Sequence, residues 1–432
     1  MKHILLLFIF SCAGKIAFSQ NLYFPPTIGN TWDTISPASL GWCQDKLDTL
    51  LNYLGEKNTK AFILLKNGKI VAEKYYGTFT QDSLWYWASA AKTLTGFTVG
   101  IAQQEGLLSL NDLSSQYLGT GWTSCSLPKE NLITVKNQLS MTSGLDDGVP
   151  DNHCTIDTCL QYLADAGTRW AYHNGPYTLL DGVITAATGQ ALNAYITQKI
   201  KTPTGMSGSF YPLGYDNLFV SKPRSMARFG LLLLNKGNWN GNQILTDSNY
   251  FQQMTHSSQN LNPSYGYLTW LNGQGAFMAP GSQFVFPSNL SPNAPADMFA
   301  ALGKNGQFIN VVPSQNLVFI RMGNAPDGLE VPFLFNDTIW QKLNMVLCNP
   351  NAIADNVGAE TAIQAFPNPF SDKISLKNTK GNEDFELLNV YGVPVFQGKN
   401  IEQSDFSTLS EGVYFLRIKG GAGVKRLVKI EN

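Results

Sequence analysis

The chain is 432 residues long, 44% hydrophobic and 14% charged, enough apolar material for a sizeable buried core and too long for one core alone. Its 30 basic and 31 acidic residues leave a formal net charge of -1 with no dense Lys/Arg block. A surface of that kind cannot track a phosphate backbone, so nucleic acid is not an expected partner.

In chain order, Lys2 is followed by the apolar run Ile4 to Phe10 and by small residues leading to Ala17-Phe18-Ser19. This is the pattern of an export signal over residues 1–19. The run is too short to cross a bilayer, and no later segment is apolar for the roughly 20 residues that crossing requires. Ser11-Cys12 offers a rival lipoprotein cleavage site, but Ile9-Phe10 fit poorly in front of it. Beyond the signal stand Cys43, Cys125, Cys154, Cys159 and Cys348, and in an exported protein they can form disulfides with at least one thiol left over. Cys154 and Cys159 are candidates to close a small loop, with Cys125 competing for either. His153, Cys154, Cys159 and His173 match no zinc-ligand spacing, so neither metal nor organic cofactor is expected.

Apolar positions from Cys43 to Leu54 recur at helical spacing, and Ala61 to Tyr76 reads as two strands around Lys66-Asn67-Gly68. Trp85 to Gln104 returns to a helical pattern, opening on Trp85, Tyr86 and Trp87, which belong to a core more readily than to a substrate pocket. Residues from about 105 to 245 alternate helical stretches with Gly, Pro and Asn turns and read as a mostly helical insert that includes Arg224 to Leu234. Strand patterns resume at Tyr265 to Leu271, Asp297 to Leu302, Gln307 to Val312 and Leu317 to Met322, before a helix from Pro332 to Leu347. The sheet is thus expected to draw strands from both ends of a domain spanning residues 20–348. Asn349-Pro350-Asn351 opens a polar linker to about residue 363. Alternating segments then follow at Lys373 to Lys377, Phe385 to Val390, Val393 to Gln397, Val413 to Lys419 and Lys425 to Ile430, a small all-β module over residues 364–432.

Ser89-Ala90-Ala91-Lys92 places a hydroxyl and an amine three residues apart on one face of the expected helix. A serine hydroxyl needs a proton acceptor, and an amine serves only when neutral, so Lys92 would need a pKa depressed by burial. The same spacing recurs in Ser126-Leu127-Pro128-Lys129, where Pro128 is expected to oppose the helix that would align the pair. Tyr172-His173-Asn174 lies on a loop leading into the apolar run Tyr177 to Ile184. There a phenol can relay a proton and an amide can hold the lysine or a substrate carbonyl. Tyr215-Asp216-Asn217 has the same form but reads as a turn. Gly303-Lys304-Asn305-Gly306-Gln307 joins two strands, and its glycines permit close backbone approach. The N–H groups of Ser89 and Lys304 could then aim at one oxyanion. His173 and His256 have no Gly-x-Ser-x-Gly elbow to serve and are read as polar or solvent-facing. Asp146-Asp147 is read as terminating a helix or loop.

Taken in order, "SAAK", "LSMTSGL" at Leu139 to Leu145, "YHN", "SMARFGLLLLNKGNW" at Ser225 to Trp239 and "GKNGQ" resemble the β-lactamase-related serine hydrolases. That family includes class C β-lactamases, DD-peptidases, carboxylesterases and 6-aminohexanoate-dimer hydrolases. The resemblance implies an α+β fold, an antiparallel sheet flanked by helices, with an all-helical subdomain and the site between them. It implies acylation of Ser89, proton exchange by Lys92 and Tyr172, and orientation by Asn174. The Lys-Thr-Gly triplet of true β-lactamases and penicillin-binding proteins is missing, which points toward the esterase and oligoamide-hydrolase branch, although Lys304 could supply a cation for acidic substrates. "FPNPF" at residues 366–370, "EGVYFLRI" at 411–418 and "KRLVKI" at 425–430 resemble the C-terminal sorting domain of the type IX secretion system. This implies a protein secreted or held at the cell surface, with the outer-membrane secretion machinery as a partner. The expected substrate is a small ester, amide or peptide. The rival readings are a DD-peptidase or β-lactamase, and a non-catalytic surface-binding scaffold.

Overall fold

The computed structural model describes residues 22–348 and 364–430, apart from 380, 382, 391 and 420–423. The expected export signal at residues 1–19 and linker at 349–363 lie outside the described residues. Central to the larger part is a six-stranded antiparallel sheet whose strands run, edge to edge, Lys69–Tyr75, Thr59–Lys66, Leu317–Gly323, Gln307–Val312, Phe299–Gly303 and Trp270–Leu271. The inner strands are buried almost throughout rather than at alternate residues because both faces of the sheet are covered. The Pro223–Leu234 helix comes so close at Gly230 that a Cβ there would meet the side chains of Val318 and Ile309. Phe319 and Asn310, the next residues along, meet Trp340 of the Phe333–Val346 helix. Successive strand residues point to opposite faces, so the two helices cover opposite sides.

The first helix, Gln44–Glu56, packs beside Phe333–Val346. A Cys43–Cys348 disulfide ties the start of one to the end of the other, Cys154 is bonded to Cys159, and Cys125 carries a free thiol. The smaller C-terminal part has its own core, including Phe370, Leu387, Ile401, Leu416 and Leu427. A four-stranded antiparallel sheet in the order Pro394–Gly398, Phe385–Leu388, Gly412–Ile418 and Val424–Lys429 builds that core.

Three local expectations differ from the fold. Trp85 and Tyr86 do not open the helix but form a two-residue strand paired with Asp216–Ser221. The aromatic side chains suit a pleated surface, and helix proper begins only at Ala91. Of the stretch from Tyr265 to Leu271, only Trp270–Leu271 is strand, because a turn in which Gly266 N–H bonds Thr269 O, with Leu268 at φ +50°, interrupts the extension. Within residues 105–245 the hairpin Ser209–Leu213/Asp216–Ser221 breaks the helical run, and Pro223–Leu234 belongs to the sheet rather than to an insert. Its apolar residues are numerous enough to bury nearly all of it.

Two features shape the end of the Phe299–Gly303 strand. A Cβ on Gly303 would stand 2.6 Å from Trp87 O and 2.9 Å from Ala90 N, so the strand end and the turn before the Ala91–Gln104 helix approach backbone to backbone. Behind the following turn lies Arg321, 0% exposed, whose guanidinium donates to the carbonyls of Lys57 (2.8 Å), Asn305 (2.6 Å), Gly306 (3.0 Å) and Asn324 (3.0 Å). Among the described residues no carboxylate pairs with it. Four carbonyl oxygens take the place of a counterion, which makes the charge costly to remove and fixes the turn's shape. Gly306, at φ +76°, leaves room for Arg321 Nη1 where a Cβ would stand 2.6 Å away. Replacing Arg321 by Met strands these carbonyls and is expected to lower stability by at least about 3 kcal/mol in urea unfolding. Gly303→Ala is expected to cost about 1–3 kcal/mol by overpacking. An unchanged midpoint in either variant would contradict the packing described.

Candidate active site

Trp87 anchors the turn that carries Ser89. Its N–H bonds Phe219 O at 2.8 Å, its indole donates to Ser221 Oγ at 2.8 Å, and Ala90 N–H closes back on Trp87 O at 3.1 Å. The tight turn Ala88–Ala90 sets Ala88 at φ +46°, a conformation uncommon for a residue with a Cβ. Ser89 stays half-buried at the surface of this turn, and Lys92 comes one helical turn later, only 4% exposed. Lys92 Nζ stands 3.1 Å from Ser89 Oγ and donates to Asn174 Oδ1 at 2.8 Å. It also lies 4.1 Å from the centre of the Tyr177 ring and 5.1 Å from that of Tyr172. Among the described residues no carboxylate forms an ion pair with it. Burial therefore pushes the amine down to about 7, with the more distant Asp216, Asp181 and Glu330 recovering part of the loss.

The Tyr172 phenol is buried, and burial holds it well above the usual tyrosine range, with the neighbouring Ser89 and Tyr265 side chains offsetting part of the rise. Its ring stacks on Trp270 at 5.8 Å and meets Tyr265 edge-on at 6.1 Å. The "LSMTSGL" segment supports this loop from behind through its backbone: Ala171 N–H bonds Met141 O at 2.9 Å and Gly167 N–H bonds Thr142 O at 2.8 Å. Asn174 opens the short Asn174–Thr178 helix, and Asn152 Oδ1 accepts both its backbone N–H (3.0 Å) and its side-chain amide (2.8 Å).

His173 is a correction. It is 2% exposed rather than solvent-facing, and among the described residues neither ring nitrogen finds a partner. Burial holds its imidazole down to about 4, hence neutral. Its extended backbone, φ -103° and ψ 114°, explains the placement, because neighbours on either side of an extended residue share one face and the middle side chain takes the other. His256 is exposed, with Nδ1 against Gln252 O.

Ser89, Lys92, Tyr172 and Asn174 thus meet at one point, with the Gly303 backbone beside the Ser89 N–H. The side chains of the 303–307 turn have partners of their own. Lys304 is exposed and pairs with Glu330 at 3.2 Å, Asn305 donates to Tyr86 Oη at 2.7 Å, and Gln307 is buried, stitching both backbone groups of Gly323. Ser126 and Lys129 do not form a second pair. Pro128 is accommodated in the first turn of Leu127–Glu130, where its missing N–H is harmless, and Lys129 is drawn to Asp165 instead. Asp146 caps Gly148 N–H and Asp147 pairs with Arg169 at 2.6 Å.

Several residues at the site carry no local sequence signal. Asn152 and His153 come from a loop, Tyr265 from a turn, and Asp216 and Asn217 from the segment that reads as a turn. Asp216 Oδ1 lies 2.7 Å from His153 Nδ1, and Asn217 donates to the buried Asp181 at 2.6 Å. Desolvation raises that carboxyl to about 7. Among the described residues no group of three or more His, Cys, Asp or Glu could hold a metal ion. The arrangement offers a hydroxyl, a desolvated amine, a phenol and backbone N–H groups, the parts that acyl transfer uses.

The Beta-lactamase family model matches residues 55–334, and the Secretion system C-terminal sorting domain model matches residues 364–430. An uncharacterized protein of Alkalihalophilus pseudofirmus is 26% identical over 306 residues, spanning 61% of this chain and 84% of its own. A Bacillus subtilis protein provisionally named penicillin-binding protein PbpX is 27% identical over 187 residues, 40% of this chain and 46% of its own. Among solved structures, a Bacillus anthracis protein provisionally named a 6-aminohexanoate-dimer hydrolase aligns with TM-score 0.56 at 18% identity, covering 76% of this chain and 89% of its own. A Bacteroides dorei protein provisionally named a beta-lactamase aligns with TM-score 0.57 at 17% identity, covering 71% and 100%. At these identities the structures speak for the fold. The family match runs from the end of the first helix to the start of the last helix of the larger part, and so the chain belongs to the beta-lactamase family, whose members are generally serine hydrolases, and carries a sorting domain that marks it for export to the cell surface or beyond.

Proposed function

We propose that this protein hydrolyses an ester or amide through an acyl-Ser89 intermediate. The observation that carries the reading is the Lys92 amine: buried, close to neutral at physiological pH, and held by the neutral Asn174 beside the Ser89 hydroxyl. In the acylation step the Lys92 lone pair takes the hydroxyl proton as Ser89 Oγ attacks the substrate carbonyl. The N–H groups of Ser89 and Lys304 receive the developing oxyanion. Tyr172 passes a proton to the departing alcohol or amine and is reprotonated through Lys92. A water molecule then repeats the sequence on the acyl-enzyme and releases the acid. Asn174 keeps the amine aimed throughout.

A small ester or amide suits the site better than a β-lactam. The Lys-Thr-Gly triplet is missing, and the one cation on the corresponding turn, Lys304, is matched by Glu330. The likeness to a protein named for penicillin binding supports a second reading, action on β-lactams or cell-wall peptides. Incubation with benzylpenicillin separates the two, because a mass adduct on Ser89 or turnover of the antibiotic would favour the second.

Ser89→Ala is expected to abolish labelling by a fluorophosphonate probe and turnover of p-nitrophenyl acetate. Retained turnover would remove Ser89 from this role, and labelling nowhere in the native protein would favour a binding scaffold. Lys92→Met is expected to cost about 10²–10⁴ in rate. Only the neutral amine accepts the proton, so kcat/KM should rise with pH through an apparent pKa of about 7. An exposed lysine would place that rise near about 10.4.

A further inference from the structure

We propose that His153, itself held by Asp216, is a positioning residue that sets which way the Asn174 amide faces and thereby aims Lys92 at Ser89. This inference rests on the acyl-Ser89 reading. The lone pair of a neutral Lys92 stays free for the Ser89 hydroxyl only if Asn174 turns its oxygen, and not its amide nitrogen, toward Nζ, because an amide N–H would donate into that lone pair. An asparagine amide has two nearly isosteric orientations, so something must choose between them.

Three contacts make the choice. Asp216 Oδ1 lies 2.7 Å from His153 Nδ1, which places the ring proton on Nδ1, since a carboxylate only accepts. In the neutral ring with its proton on Nδ1, Nε2 is an acceptor, and it faces Asn174 Nδ2 at 3.3 Å. Asn152 Oδ1, an acceptor too, takes the other Nδ2 hydrogen at 2.8 Å. Two acceptors on the nitrogen side leave Asn174 Oδ1 facing Lys92 at 2.8 Å. The result is a continuous line, Asp216 to His153 to Asn174 to Lys92 to Ser89, in which every donor meets an acceptor.

The loop bearing His153 is fixed to the site by its neighbours. Gly175 N–H bonds Asn152 O at 2.9 Å, and a Cβ on Gly175 would stand 2.3 Å from Cys154 O. Cys154 is in turn stapled to Cys159. Asp216 comes from the Asp216–Ser221 strand, so the line also joins the hairpin to the catalytic loop. The His153 side chain is 43% exposed, and an exposed pair of this kind contributes little to folding. Its removal can therefore be read in catalysis without loss of the fold.

The test is steady-state hydrolysis of p-nitrophenyl acetate by the purified full chain. His153→Leu removes the acceptor and should lower kcat by about tenfold to a hundredfold with KM little changed, the penalty of a misaimed base. His153→Gln puts an amide oxygen near the place of Nε2 and should restore most of that loss, while the thermal midpoints of both variants stay at the native value. Equal loss in the Leu and Gln variants, or native turnover in the Leu variant, overturns the inference. The Ser89→Ala control keeps the two claims apart. Turnover surviving in Ser89→Ala defeats the acyl-Ser89 reading itself, whereas a dead Ser89→Ala beside an unimpaired His153→Leu defeats only the role given to His153.

Discussion

The site depends on one costly arrangement, a lysine amine taken out of water with no carboxylate against it. Desolvation disfavours the charged form, and a carboxylate in contact would restore it. The fold supplies neutral surroundings instead: the Asn174 oxygen, the rings of Tyr172 and Tyr177, and the Ser89 hydroxyl. The nearest acids act at a distance, and Asp216 is separated from the amine by His153 and Asn174. Its field tempers the depression of the Lys92 pKa without abolishing it, so the amine stays near neutrality instead of becoming a permanently uncharged base.

A second constraint is geometric. The Ser89 turn and the Gly303 strand end belong to segments far apart in sequence, yet their backbones touch. That contact tolerates no side chain at residue 303, and it is held from behind by Arg321, which spends its donors on the carbonyls of the same turn. The arginine is as remote from Ser89 in sequence as the glycine. Together they make the position of the backbone N–H groups a property of the sheet rather than of a mobile loop, and rigid elements hold catalytic geometry more closely than loops do.

The C-terminal part has a separate core and a separate family assignment. It also touches the larger part, through Phe415 against Phe286 at 5.1 Å and Arg426 near Asp337 at 3.6 Å. Export through a sorting domain accords with the two disulfides, since an oxidising compartment lets such bonds persist. The Cys43–Cys348 bond closes the larger part at its own boundary, just before the segment that leads to the sorting domain.

The amino-acid order alone determined what local chemistry can determine. Ser89 and Lys92 come within reach of each other because their three-residue spacing spans the turn that leads into the helix. Gln307 to Val312 and Leu317 to Met322 announce strands through apolar β-branched and aromatic runs, and the ordered motifs carry the family and the sorting module. Only the tertiary structure decided which distant groups complete the site. Nothing local distinguishes His153 or Asp216 from ordinary loop residues, or Arg321 from a surface cation, since their roles arise from contacts made across 63 residues for the first pair and 16 for Arg321 with Asn305. The same limit explains the errors. Trp85 and Tyr86 carry a helix-compatible pattern, but pairing with Asp216–Ser221 overrode it, and His173 is polar in composition yet buried because the extended backbone between Tyr172 and Asn174 turns it inward. Periodicity reports the face a residue shares with its neighbours, whereas burial and partnership depend on what the rest of the chain brings to that face.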